Sequence, residues 1–282
     1  MRAIDGVMSE PARTSASTVL TVDGLGKQFA TADGSLTAVD DMSFSVGKGE
    51  FVTVIGPSGC GKSTLFAMIG GLTEPSTGTV SIGGERVSGP HPAISMVFQE
   101  ESTFPWRTVI DNVAFSLEIA GKPKAERHEI ARRFIQLVGL AGFEKSYPSQ
   151  LSGGMRQRVA IARALASEPA LLLMDEPFAA LDEQTRLLLG DKVLQVQQDL
   201  DQTILLITHN ITEAVQLSDR IVVMSYRPGR LKRVIDIDLP RPRTSEIVSS
   251  DAFGRYVASI WSDLREEASR GMEAEDHPRG GG

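Results

Sequence analysis

Hydrophobic positions in this chain follow two rhythms. Short runs of aliphatic and β-branched residues recur at Val19–Val22, Phe51–Ile55, Thr79–Ile82, Ile94–Phe98, Leu171–Met174, Thr203–Thr208, Ile221–Met224 and Val234–Ile237. Several are apolar at every position, the pattern of strands covered on both faces in a parallel sheet. Between them the apolar residues space out. Ile130, Phe134 and Leu137 within Pro123–Leu140 fall at i, i+4 and i+7, and Leu189, Val193, Val196 and Leu200 within Asp182–Leu200 keep the same interval. Each segment predicts a helix with one buried stripe. Strands alternating with helices predict an α/β fold.

From about residue 100 to 162 that rhythm breaks, and helical patterns follow one another without a convincing strand. This stretch is expected to be a helical subdomain inserted into the α/β core. Residues 1–16 are small, polar and aperiodic, and are expected to form a flexible leader. Beyond about residue 240 the chain turns polar and then gives an amphipathic segment, Phe253–Glu267. The expected organisation is a core domain over 17–243, followed over 244–282 by a helical extension and a disordered tail. No internal repeat is evident.

Composition removes some function classes. The 282 residues are 41% hydrophobic and 23% charged, which argues against disorder as the main state. With 29 Lys and Arg against 36 Asp and Glu, the net charge of −7 is wrong for a surface that grips nucleic acid or anionic lipid throughout. The apolar runs fall far short of the ~18 residues a spanning helix needs, and the N-terminal segment lacks the apolar core of a secretory signal. A single cysteine, Cys60, excludes an internal disulfide and fits a reducing cytoplasm.

The clearest chemistry follows the run Phe51–Ile55. Gly56, Pro57, Ser58, Gly59, Cys60, Gly61, Lys62, Ser63 and Thr64 match G-x-x-x-x-G-K-[ST], with a predicted strand before and a predicted helix, Leu65–Ile69, after. Glycines let successive backbone N–H groups turn toward one anion, and the helix start adds a positive dipole end. Lys62 brings a charge to the β- and γ-phosphates, and the Ser63 hydroxyl can ligate Mg²⁺. A helix N-terminus should lower the Cys60 thiol pKa; the plainer reading is a small residue that fits.

A second apolar run, Ala170–Met174, delivers Asp175 and Glu176, and Pro177 closes it. Adjacent strand positions face opposite ways, so the two carboxylates should have different tasks. Asp175 is placed to hold Mg²⁺, and Glu176 to polarise an attacking water as general base. The run Thr203–Thr208 ends in His209, at the C-terminal end of a core strand, where α/β folds build their sites. A second glycine motif, Leu151-Ser-Gly-Gly-Met-Arg-Gln-Arg158, opens a predicted helix, Met155–Ala166. Ser152 is a natural N-cap and Gly153–Gly154 expose N–H groups, making a second anion site. One nucleotide does not need two such cradles, which suggests that the second serves the ATP of another subunit.

Taken together, these motifs resemble the ATP-binding subunit of an ABC transporter, with the match running from about Val19 to Arg243. In that resemblance Gly56–Thr64 is the Walker A loop, Gln99 the Q-loop glutamine, Leu151–Gln157 the ABC signature, Leu171–Glu176 Walker B and Leu181–Asp182 part of the D-loop. His209 is the switch histidine, and Phe29 stands where an aromatic stacks on adenine. The resemblance implies a P-loop ATPase core of ABC type with an antiparallel β subdomain near the N-terminus, and head-to-tail dimers holding two ATPs. Ser152, Gly153, Gly154, Gln157 and Asp182 would then meet nucleotide, and Ser63, Gln99 and Asp175 would hold Mg²⁺. Transmembrane permease subunits, an associated solute-binding protein and a place on the cytoplasmic face of the cell membrane are further implications. Two positions depart from the family pattern: Ala179–Asp182 lacks the frequent D-loop serine, and Asn210 stands where aspartate usually follows the switch histidine.

Three stretches, Glu100–Thr108, Met224–Arg230 and Asp238–Arg243, are similar to the nitrate, sulfonate and taurine importer group. Importers of bicarbonate or pyrimidine precursors share these marks, and a lipid-trafficking ATPase differs mainly in its membrane partner. A DNA-repair ABC ATPase needs a coiled-coil insertion or zinc-binding cysteines, a translation factor needs two cassettes, and a small-molecule kinase lacks the signature. Phe104-Pro-Trp106 has two readings, a permease contact beside Gln99 or a small core beneath that loop.

Overall fold

The computed structural model describes residues 17–32, 34–100, 102–179 and 181–276. The expected leader and the last six residues of the expected tail lie outside them. The chain opens with two long strands, β1 (Thr18–Thr31) and β2 (Gly34–Gly47), then β3 (Phe51–Ile55), helix α1 (Lys62–Ile69), β4 (Thr77–Ile82), β5 (Glu85–Arg86) and β6 (Ile94–Val97). Helices α2 (Val109–Val113), α3 (Phe115–Ile119), α4 (Lys124–Leu137) and α5 (Gly153–Leu165) follow without an intervening strand. Then come β7 (Leu171–Asp175), α6 (Glu183–Leu200), β8 (Ile204–Thr208), α7 (Ile211–Leu217), β9 (Arg220–Met224), β10 (Leu231–Asp236) and α8 (Asp251–Asp276).

Two sheets result. The larger runs β10-β9-β3-β8-β7-β6, parallel from β9 to β6, with β10 antiparallel at its edge. Its apolar runs read as continuous because alternate residues enter different cores. Val52, Val54, Leu171, Leu173, Leu205, Ile207 and Val222 meet α1 and the smaller sheet. Phe51, Leu172, Met174, Ile204 and Leu206 meet the helical side, while Ile55, Ile221 and Val223 meet α7 and α8.

The smaller sheet is antiparallel, in the order β2-β1-β4-β5. Of its strands, β2 leaves no readable trace in sequence. Polar Asp40 and Asp41 interrupt it, and Asp41 sits at φ 50 in a bulge, so period-two alternation is lost. Helices α2 to α5 form the inserted subdomain, packed on Phe134, Ile135, Val159 and Ile161. In the extension, α8 lies against the α/β core through Phe253 and Ile260. Where the core chain closes, buried Arg243 donates to the carbonyls of Ile237 (2.8 Å), Leu239 (3.2 Å) and Ser218.

Candidate functional site

Four neighbouring parallel strands, β3, β8, β7 and β6, end on the same edge of the large sheet. Beyond these ends lie the phosphate loop, His209, the Asp175–Glu176 pair and Gln99 respectively. Residues scattered over more than half the chain meet there because parallel strands put every C-terminal end on one side.

The loop curls through Gly59 and Gly61, both at positive φ (74° and 100°). A Cβ at Gly61 would lie 2.6 Å from the Ala38 carbonyl oxygen, so a side chain is excluded there. Lys62 is buried, and its ammonium donates to the carbonyls of Gly56 (2.8 Å) and Pro57 (2.9 Å). Pro57, Ser58, Gly59, Ser63 and Thr64 keep some access to solvent. Cys60 does not. Its sulfur points inward, where a Cβ at Gly56 would come within 2.7 Å of it. Burial raises the thiol pKa and outweighs the nearby Lys62 charge, the opposite of the lowering expected from the helix start. The side chain is packing, and Cys60 can serve an anion only through its N–H.

Asp175 ends β7, with the Ser63 hydroxyl beside its carboxylate. Burial, reinforced by the negative charge of Glu176, pushes its carboxyl up to about 6 against the pull of Lys62 and Ser63. Glu176 lies past the strand, at φ 44. The division of labour between the two carboxylates therefore comes from a left-handed residue, and not from the alternation of a continuing strand. That conformation costs on the order of 1 kcal/mol; the Glu176 N–H donating to the Ile207 carbonyl at 2.8 Å holds it in place. So turned, the carboxylate meets His209 Nδ1 at 2.9 Å through Oε1 and accepts from Gln99 Nε2 at 3.3 Å through Oε2. In the structure the side-chain partner of His209 is Glu176.

Behind His209 is a support that sequence patterning missed. Thr208 Oγ1 donates to the buried Glu213 carboxylate at 2.7 Å and accepts from the Asn210 N–H at 3.0 Å. Arg186, on α6, reaches Glu213 at 3.2 Å. Asn210 caps α7, accepting from the Glu213 N–H at 3.1 Å. The departure from aspartate thus keeps the capping oxygen and drops only the charge.

Ser152 caps α5 by accepting from the Met155 N–H at 3.3 Å, and it stays exposed at the helix start with Gly153 and Gly154 half-open. A Cβ on Gly154 would lie 2.6 Å from Leu181 Cδ2, so glycine there lets the Leu181 segment pack against the start of α5. Gln157 is placed differently from these. It is buried and donates to the Phe98 carbonyl at 3.5 Å, bracing the segment that leads to Gln99. Asp182 caps α6, accepting from the Thr185 N–H (2.9 Å) and hydroxyl (2.7 Å). Phe29 sits on β1, half-open to solvent with Lys27 Nζ 5.4 Å from its ring centre.

Comparison with known proteins matches residues 39–179 to the family described as ABC transporter. A Methanocaldococcus jannaschii protein, named an uncharacterized ABC transporter ATP-binding protein, is 48% identical over 90% of this chain and 94% of its own length. A nitrate import ATP-binding protein from Synechocystis is 43% identical (90% and 98% covered), and an aliphatic sulfonates import ATP-binding protein from Bacillus cereus is 44% identical (80% and 88%). Among solved structures, a dimeric bacterial ABC transporter cassette aligns with TM-score 0.71 at 29% identity, covering 78% of this chain and all of that one. A cassette in a post-hydrolysis state bound to ADP and Pi aligns with TM-score 0.70 at 29% identity and the same coverage.

Proposed function

The chain belongs to the ABC transporter family of ATP-hydrolysing cassettes, and we propose that it powers import of a small anion such as nitrate, a sulfonate or taurine. The observation that carries the hydrolytic part is the Glu176 carboxylate, held between Gln99 and His209. In this reading Glu176 takes a proton from the attacking water as general base. Gln99 and His209 keep the carboxylate aimed, and His209, exposed on its other side, is available to the γ-phosphate. Lys62 offsets charge on the β- and γ-phosphates, and loop N–H groups hold their oxygens.

A hydroxyl, a carboxylate and an amide oxygen from Ser63, Asp175 and Gln99 form the hard oxygen donor set that Mg²⁺ prefers, and these residues would hold it. Mg²⁺ bound there supplies charge neutralisation to the phosphates. A second subunit would receive this chain's Ser152–Gly153–Gly154 helix start against its own ATP, with Asp182 at the same face. The reported dimer of a related cassette supports pairing of two such subunits.

No helix among the described residues is long and apolar enough to cross a membrane. The relatives named as import ATP-binding proteins support a peripheral place on the cytoplasmic face, bound to transmembrane permease subunits. The importers named among the relatives support the anion class. Uptake of labelled nitrate and taurine in cells carrying wild-type chain or Glu176→Gln tests the proposal. Loss of uptake of one anion supports it, and unchanged uptake of both retires the anion assignment.

A further inference from the structure

Strand β9 borders β3 on the side away from β8, and its C-terminal end lies on the same edge as the phosphate loop. The segment beyond it, Ser225–Arg230, has no part in the chemistry described so far, yet it touches the loop directly. Arg227 Nε donates to the Gly59 carbonyl at 2.8 Å, and a Cβ on Gly59 would lie 3.3 Å from Arg227 Nη2. Gly229 presses on the next peptide. A Cβ there would be 2.2 Å from the Cys60 carbonyl oxygen, so only glycine allows this approach. Gly229 also pairs with β2, donating to the Ala38 carbonyl (2.9 Å) and accepting from the Asp40 N–H (3.0 Å), and Arg230 pairs with the Asp40 carboxylate.

We propose that Arg227 is a positioning residue for the nucleotide site, fixing the Gly59–Cys60 peptide of the phosphate loop, and that α8 holds Arg227's segment in place through Glu267. In a trans peptide the C=O and the following N–H point opposite ways, so anchoring the Gly59 carbonyl on the outside turns the Cys60 N–H inward, where it donates at 3.4 Å to the Pro57 carbonyl, a long bond that an anion in the loop would displace. Gly59 has no side chain to restrict its peptide, and a charge-assisted hydrogen bond from a guanidinium supplies that restriction. The anchor is itself braced. The Tyr226 N–H donates to Glu267 Oε2 at 2.9 Å, and nearly buried Glu267 is paired with Lys232 (2.8 Å) and Arg270 (3.0 Å). Gly271 of α8 leaves room for the Tyr226 ring, which would lie 2.8 Å from a Cβ there. The C-terminal helix thus reaches the phosphate loop in two steps, and nucleotide affinity becomes sensitive to it.

This inference rests on ATP binding at the loop, which Lys62→Ala tests separately by abolishing affinity. ATP affinity and turnover are measured in the full chain for Arg227→Ala, Arg227→Lys, Glu267→Ala and the Arg227→Ala/Glu267→Ala double variant. Arg227→Ala should weaken ATP binding by about tenfold, the scale of one charged hydrogen bond, with kcat within about twofold of wild type. Because Arg227 is exposed, the melting temperature should hold within about 2 °C. Arg227→Lys should recover part of the affinity, since an ammonium can still donate to Gly59. Glu267→Ala should weaken binding in the same direction, and the double variant should be no weaker than Arg227→Ala alone. Unchanged affinity in Arg227→Ala while Lys62→Ala abolishes binding would overturn the positioning role. Additive losses in the double variant would overturn the part assigned to α8.

Discussion

His209 Nδ1 and Glu176 Oε1 lie 2.9 Å apart, one at the end of β8 and the other just past β7. With its proton on Nδ1 the imidazole donates to the carboxylate and turns Nε2 away from it. Glu176→Gln is expected to retain ATP binding while turnover falls at least ~10²-fold, the lower range for a lost general base. His209→Ala is expected to lower turnover about 10- to 100-fold through misplacement of the same carboxylate. Phosphate release by purified protein at saturating ATP measures both, and near-normal turnover in Glu176→Gln removes it from the role.

Asp175 should leave a pH signature on stability. Its folded pKa of about 6 exceeds the ordinary 3.8, so the folded state binds this proton more tightly than the unfolded state. The buried charge then destabilises the fold fully above about pH 6 and not at all below about pH 4. In EDTA and without nucleotide, Asp175→Asn should stabilise the chain by up to about 3 kcal/mol at pH 8. That gain should fade as pH drops through 6. Urea titrations at pH 4.5, 6 and 8 measure it, and a gain independent of pH would assign the effect elsewhere.

ATP should govern self-association. The nucleotide-free chain is expected to be monomeric, and Glu176→Gln with ATP dimeric, because the exposed Ser152–Gly154 helix start is a second anion cradle. Light scattering reads the mass directly. No ATP-dependent increase in that variant would sink the sandwich.

Trp106 separates the two readings of its loop. It is 71% exposed, whereas Phe104 turns inward onto Phe115 (ring centres 4.6 Å) with Arg163 and Arg107 over its ring. The small-core reading therefore belongs to Phe104. Arg107, beside it, is paired with Glu118 at 2.8 Å. Trp106→Ala should cost on the order of 2 kcal/mol of permease association, with the melting temperature within about 2 °C of wild type. Co-purification and thermal melting decide it; a large fall in melting temperature would retire the contact.

Sequence alone determined whatever depends on local rules. The inner strands of the large sheet, β3, β7, β8 and β9, are legible because burial on both faces makes them almost continuously apolar, and the phosphate loop because glycines, lysine and serine must stand at fixed spacing. Asp175, Glu176 and His209 could be nominated from their places at the ends of such strands. What sequence could not supply is which strands are neighbours. The order β9-β3-β8-β7-β6 draws Gln99, Glu176, His209, the phosphate loop and Arg227 to one edge, and these pairings join residues far apart in the chain. Nor could it reveal the left-handed turn at Glu176, the inward thiol of Cys60, the capping task of Asn210 or the burial of Gln157, since each arises from packing partners that no local pattern encodes. Strand β2 escaped for a related reason: at a sheet edge and interrupted by a bulge, it is held by β1 and not by a hydrophobic rhythm of its own.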